Sequence, residues 1–399
     1  MASAFRRGRV WFIVWPLVWT VIGLGAVGWS FRNRQEGAAP PPQHSERLDE
    51  GPWGHVEITP VVLEPPLRSV GTGDCTAARA EWKFHGKSRA QVDALLSEAG
   101  VEPAWRERLL SFAQCTADGC TVVPDDETVL GLTPARRRTL YAALAPFPDN
   151  VEQYSALSLP VARQDLWLHD ADLGPEATEL IRKLMWREDD VVRFGDVRLV
   201  CRSLPPARRP RLQQVLGRHP AATLTLVVPH DADVNTLAGW WENGSSPGVL
   251  RPLLEALARL PHGGRVDVSE LLPRVARARL NRFPEADEDG RDCHWTALNF
   301  TNRRSNDRFL KSEEITHALE KEYVEIPREE AKFGDLLLFS DGIKAIHSAS
   351  VVAADVFYTK NGRSTTAPWQ FMRYADLRVL YRGETHFMRR RPEALVSGK

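Results

Sequence analysis

The spacing of apolar and polar residues changes period several times along the chain. Val10 to Phe31 is almost uninterruptedly apolar, the length of a helix that spans a bilayer. Arg6, Arg7 and Arg9 precede it, and neither the short apolar core nor the small-residue cleavage site of a secretory signal is clear. The stretch reads as an uncleaved single-pass anchor over 10–31, with residues 1–9 cytoplasmic and the bulk of the chain extracytoplasmic. Prolines at 40–42, 52, 60, 65 and 66 make residues 32–70 an extended linker.

From 71 to 280, helical and strand periods alternate. Ser88 and Gln91 form a capping box ahead of Val92, Leu95 and Leu96, and Gly100 ends that helix. Further helices are expected over Pro103–Phe112, Thr133–Leu144, Gly174–Trp186 and Val249–Leu260, and from Ser269 onward, with a strand over Ala222–Val228. Asp118-Gly119, between Cys115 and Cys120, marks a small hairpin. His169-Asp170-Ala171-Asp172 recurs as His230-Asp231-Ala232-Asp233. A His with two carboxylates can ligate a metal, but an Asp capping the following helix accounts for both copies and is the favoured reading. The region shows no catalytic motif.

Beyond 281 the chain reads as short strands around one helix. Phe333-Gly334-Asp335 turns into the apolar run Leu336–Phe339, Ile346–Val352 alternates, and Val356–Gly362 is a third strand ended by Asn361-Gly362. Upstream, Arg291-Asp292-Cys293-His294-Trp295 runs into a short helix. Ala345, Ala349, Val351 and Ala353 share a face with His347, while Ser348, Ser350 and Val352 take the other. Small residues around His347 would let the Cys293 helix pack close.

A thiol at a helix start beside an imidazole makes a Cys–His nucleophile. First-turn amides favour thiolate, Asp292 can cap by accepting a backbone N–H, and His347 takes the proton. The competing role for Cys293 is a buried, inert small hydrophobe. A turn centred on Ala354 sets Asn361 opposite His347 as the residue that orients the ring. A turn one residue tighter selects Lys360, a poor orienter for an imidazole that must become positive. Asn before Gly is also a common turn pair whatever the function.

The order of a Cys293 helix, a Gly334-Asp335 strand, a His347 strand and a third strand with a polar residue resembles the NlpC/P60 peptidases, a papain-like family. The resemblance covers about residues 281–382 and leaves 383–399 as a tail. The family usually has Ser-Gly after the cysteine, where this chain has His294-Trp295. The resemblance implies an α+β fold in which the nucleophile helix packs on a small antiparallel sheet. It implies Cys293, His347 and Asn361 as catalytic residues and cleavage of amide bonds in cell-wall peptides through a thioester, without a cofactor. Trp295 and His294 are candidate substrate contacts, core packing being the other role open to Trp295. The Cys293 amide is the default oxyanion donor, with His294 a second candidate.

Composition changes the picture at two points. Formal net charge is zero, which removes the basic footprint of a nucleic-acid binder. Five cysteines leave Cys293 as the odd one if Cys115 pairs with Cys120 and Cys75 with Cys201; free thiols in the hairpin are equally open. The expectation is a membrane-anchored extracytoplasmic cysteine hydrolase acting on peptide or peptidoglycan. Another amidase or acyltransferase, and a non-catalytic scaffold at the cell envelope, are the alternatives.

Overall fold

The computed structural model describes residues 45–67, 79–242 and 247–392. The expected anchor over 10–31, the linker as far as residue 44, and Cys75 lie outside the described residues. Among the described residues no helix is long and apolar enough to cross a membrane.

The architecture is α+β, with every sheet antiparallel. Glu46–Arg47 (β1) and His55–Leu63 (β2) begin it. Trp82–His85 (β3), Ala113–Thr116 (β4) and Gly119–Val122 (β5) form one three-stranded sheet; Leu157–Pro160 (β6), Trp186–Glu188 (β7) and Val191–Phe194 (β8) form another. His219–Val228 (β9) and Gly264–Asp267 (β10) join the first two strands in the order β1-β2-β9-β10. Last come Tyr323–Ile326 (β11), Leu336–Ser340 (β12), Ala345–Ala353 (β13), Val356–Lys360 (β14), Trp369–Arg373 (β15) and Glu384–Arg390 (β16), in a six-stranded sheet ordered β11-β16-β12-β13-β14-β15.

Local chemistry sets several helix starts. Ser88 and Gln91 make a reciprocal capping box ahead of Arg89–Glu98, and Thr133 caps Pro134–Leu144 with proline in its first turn. Cys115 and Cys120 face each other across the β4–β5 hairpin and are disulfide-bonded. Cys201 is also disulfide-bonded.

Two cores stand behind these sheets, and their division corrects the expected boundaries. One gathers residues between Trp82 and Leu216. The other joins Leu48, Val56 and Ile58 to the 222–276 segment and the six-stranded sheet. Trp240 Nε1 donates to Val352 O at 3.0 Å, and the Tyr358 hydroxyl to Ala276 O at 3.3 Å. Residues 219–280 therefore pack with the C-terminal sheet, and the cores divide near 217 rather than 280. Residues 46–63 are likewise strand rather than linker. Val56 and Ile58 are buried against β9, and β1 covers β2 only at Glu57 and Ile58. Pro60 thus lies where one side of the strand is open, a position that tolerates proline. The described part of the expected tail is strand: β16 lies between β11 and β12, where Asp335 binds Arg389, Glu322 binds Arg390 at 2.9 Å, and Tyr323 O accepts from Arg391.

The first core holds an ion pair, with Arg137 Nε 3.0 Å from Asp196 Oδ2 and both side chains inaccessible to solvent. Tyr141 donates its hydroxyl to the same carboxylate. Asp196→Ala should cost about 3–5 kcal/mol by leaving Arg137 buried and unpaired. Arg137→Met combined with Asp196→Leu should recover much of that loss, as read from urea midpoints of the three proteins.

Candidate active site

Asp292 starts the Cys293–Leu298 helix, its Oδ1 accepting the Trp295 amide at 3.0 Å. Cys293 is 6% exposed and is the free cysteine of the described residues. The backbone N–H groups of Ser348, of His294 and of Cys293 itself lie close enough to its sulfur to favour the charged form. These amides favour thiolate, but burial, reinforced by the Asp292 charge, pushes the thiol up to about 12.

His347 lies on β13, wholly buried. Ser350 pairs with Tyr358 and Val351 with Phe357, and the turn passes through Ala354 at φ +51°. The ladder ends before Ser348. There, the Thr359 hydroxyl donates to Ser348 O at 3.0 Å, so it must accept from His347 Nε2, also at 3.0 Å. The ring's proton is thereby fixed on Nε2. Nδ1 is an acceptor, buried and without a hydrogen-bond partner. The Tyr381 ring stacks on His347 at 3.7 Å between centroids and 8° between planes. Burial, with His294 nearby, holds the His347 pKa well below the usual imidazole range.

The expected residues gather in part. Ser348, next to His347, supplies an amide to Cys293, but among the described residues no hydrogen bond joins Cys293 to His347. The helix also packs on the face opposite to the one expected. His294 Nδ1 is 2.7 Å from Ser348 Oγ, and Ser350 Oγ donates to Ala297 O at 3.5 Å. Small serines, rather than the alanines beside His347, make room for the helix.

Asn361 does not hold the imidazole. It follows the end of β14, with Nδ2 on the Met372 sulfur, and its Oδ1 accepts from the Tyr381 hydroxyl at 3.3 Å. It reaches His347 only through the stacked tyrosine. Thr359 is the ring's direct partner because it shares the His347 face two residues earlier, within reach of a leaning side chain. Trp295 is a core residue rather than a cleft residue. It is 1% exposed, its indole N–H donates to Asp307 at 2.9 Å, and the Arg279 and Arg291 guanidiniums lie over its ring at 5.0 and 4.8 Å. The two-point attachment of His294, to Ser348 Oγ and the Ala345 backbone, makes it a clamp between helix and β13.

Lys360 is on the helix side, with no exposed surface. Its ammonium donates to Gly362 O at 2.6 Å and Ser364 O at 3.0 Å, leaving one N–H over. Burial lowers its pKa to about 8, against the pull of Asp292, Cys293, Asp289 and Glu288. It is a cation in electrostatic range of the thiol. Thr359 and Tyr381 were not foreseen: face parity could have proposed Thr359, but nothing in spacing announces a tyrosine arriving after the Tyr374–Leu380 helix.

The repeated His-Asp-Ala-Asp segments serve structure. Asp170 accepts the Asp172 and Leu173 amides and binds Arg211 and Arg218, while Asp233 caps Val234–Trp241. Among the described residues no group of three or more such side chains is placed to hold a metal. No protein-family model, curated protein or solved structure matches the chain.

Two substitutions read this electrostatic arrangement. Asp292→Asn keeps a helix cap and removes the charge that raises the thiol, so the inflection of Cys293 alkylation against pH should move down. Thr359→Val removes the partner of Nε2–H and leaves a buried donor unpaired. Any reaction in which His347 takes the Cys293 proton should slow roughly tenfold to hundredfold, measured as single-turnover acylation.

Proposed function

We propose that Cys293 is the nucleophile of a cysteine hydrolase that cleaves amide bonds through a thioester. The observation that carries the reading is the state of His347: its Nε2–H is fixed by Thr359, its Nδ1 is a buried acceptor with no partner, and the next residue touches the thiol. Nδ1 is therefore open to a proton, although burial makes the charged ring costly.

The chemistry begins from neutral partners. As the Cys293 sulfur attacks the amide carbonyl, its proton has to pass around the β13 backbone to reach Nδ1, because the His347 ring lies on the face of the strand opposite to the Cys293 helix. The Ser348, His294 and Cys293 amides, which favour the charged sulfur at rest, are available as donors to the developing oxyanion. His347 then protonates the leaving amine as the C–N bond breaks. Water, deprotonated by His347, hydrolyses the thioester and restores the thiol. The Lys360 ammonium offsets negative charge near sulfur, and the Thr359 oxygen accepts from Nε2–H throughout. The resemblance to NlpC/P60 peptidases adds cell-wall peptides as the substrate class, and the apolar stretch over 10–31 adds an extracytoplasmic setting.

One observation favours a non-catalytic alternative, a scaffold in which the pair is core. Both side chains are buried and unlinked by a hydrogen bond, and burial drives both to neutrality. Intact-protein mass spectrometry after exposure to p-nitrophenyl acetate separates the readings. A hydrolase should carry a transient acetyl group on Cys293 that is lost in His347→Ala, with an acid limb well below the ordinary histidine pKa of about 6.5. The direction follows from His347 staying neutral, and so able to accept a proton, at lower pH than a free imidazole. Cys293 unacetylated in the native protein yet alkylated normally once denatured would overturn the proposal.

A further inference from the structure

A cavity of about 850 Å³ lies between the first core and the C-terminal sheet, within the range of small-molecule sites. Tyr381 and Asn361, the ring stacked on His347 and its hydrogen-bond partner, form part of one wall. The opposite wall belongs to the middle region and carries Glu152, Arg193 and Arg198.

The charges on that wall are unequally satisfied. Arg193 binds Glu188 through Nε at 2.7 Å and Ser158 through Nη1 at 3.2 Å. Arg198 approaches only Glu152, with Nε 3.6 Å from Oε1, and its two terminal nitrogens have no hydrogen-bond partner among the described residues. Glu152 Oε1 is itself occupied by the Arg198 main-chain N–H at 3.3 Å. Burial and the Asp196 charge raise the Glu152 carboxyl to about 7, against Arg198 and Arg202, so near neutral pH it only partly neutralises the guanidinium. An arginine fork with open donors at the wall of a half-open cavity is suited to a carboxylate.

We propose that this cavity binds the carboxylate-bearing arm of the substrate, with Arg198 as its anion contact, so that the middle region supplies recognition to the C-terminal site. The inference rests on the acyl-transfer reading of Cys293; the cavity reaches that site only at Tyr381, the ring stacked on His347. It names the substrate class as an amide or peptide carrying a free carboxylate on the arm that enters the cavity. Arg193, with its Nη2 free of hydrogen bonds, is the secondary contact.

The test is calorimetric titration of the full chain carrying Cys293→Ala, so that an unreactive or a turning-over thiol cannot affect the result. The probes are N-acetyl-Ala-Ala with a free C-terminus and its C-terminal amide. The free acid should bind at least tenfold more tightly than the amide. Arg198→Gln should erase that preference. Glu152→Gln keeps an acceptor for the Arg198 main-chain N–H while removing the competing charge, and it should tighten acid binding severalfold. This second variant carries the test if Arg198→Gln fails to fold. Equal binding of acid and amide, binding of neither, or affinities indifferent to both substitutions would overturn the proposal. Acetylation of Cys293 measured separately reports on the nucleophile, so failure of one reading is distinguishable from failure of the other.

Discussion

Between β13 and β14 the ladder opens at Ser348, and the polar groups of that residue are taken up by the site. The amide goes to the Cys293 sulfur, the carbonyl accepts the Thr359 hydroxyl, and the side chain meets His294. Were the ladder to continue, the amide and carbonyl would face Lys360 across the sheet instead. The thiol would then lose a donor and Thr359 the acceptor that decides which way its own proton points. The direction of that one hydroxyl proton fixes the His347 tautomer and leaves Nδ1 as the acceptor. A single interruption of pairing thus couples helix position, ring orientation and protonation state.

Burial acts on this assembly in a consistent direction. It raises the thiol and lowers the imidazole, so the resting pair is neutral. A preformed thiolate–imidazolium pair would need the charge of both members compensated in a site that admits little water. The fixed charges nearby pull in opposite senses, Asp292 against the thiolate and Lys360 for it. This arrangement suits a nucleophile generated during attack, when the transferred proton and the new oxyanion appear together and dipoles already in place can stabilise them.

Much of the local structure was legible because it depends on neighbours in sequence. Ser88 with Gln91, Asp292 with Trp295, the Cys115–Cys120 hairpin and the turn through Ala354 each follow from a short-range rule. Two misreadings have one cause, long-range pairing. The Pro60 strand reads as linker until β9 is placed beside it. The arginines at 389–391 read as a tail until Asp335, Glu322 and Tyr323 receive them. Strand parity separated the two faces of β13 correctly, but the alanine face looked like the roomier one for the helix. The serines won because their hydroxyls also bond to it. Asn361 failed for a finer reason: register alone gives the directly opposite residue, while a hydrogen bond follows side-chain reach, and that favours the diagonal Thr359.

The packing also explains why a site so buried need not be sealed. On one face of β13 the Cys293 helix is held by His294, Ser350 and the core around Trp295, and moving it would break the capped first turn and the Trp295–Asp307 bond together. On the other face the Tyr381 ring stacks on His347 and the Phe339 ring packs beside both. Tyr381 is held by that stack, by its contact with Phe339 and by a 3.3 Å hydrogen bond to Asn361; each aromatic pair is worth about 0.5–1.5 kcal/mol beyond its buried area and a hydrogen bond about as much. Displacing Tyr381 is therefore the less costly way to uncover His347, and the space beside it is the cavity whose far wall carries Arg198.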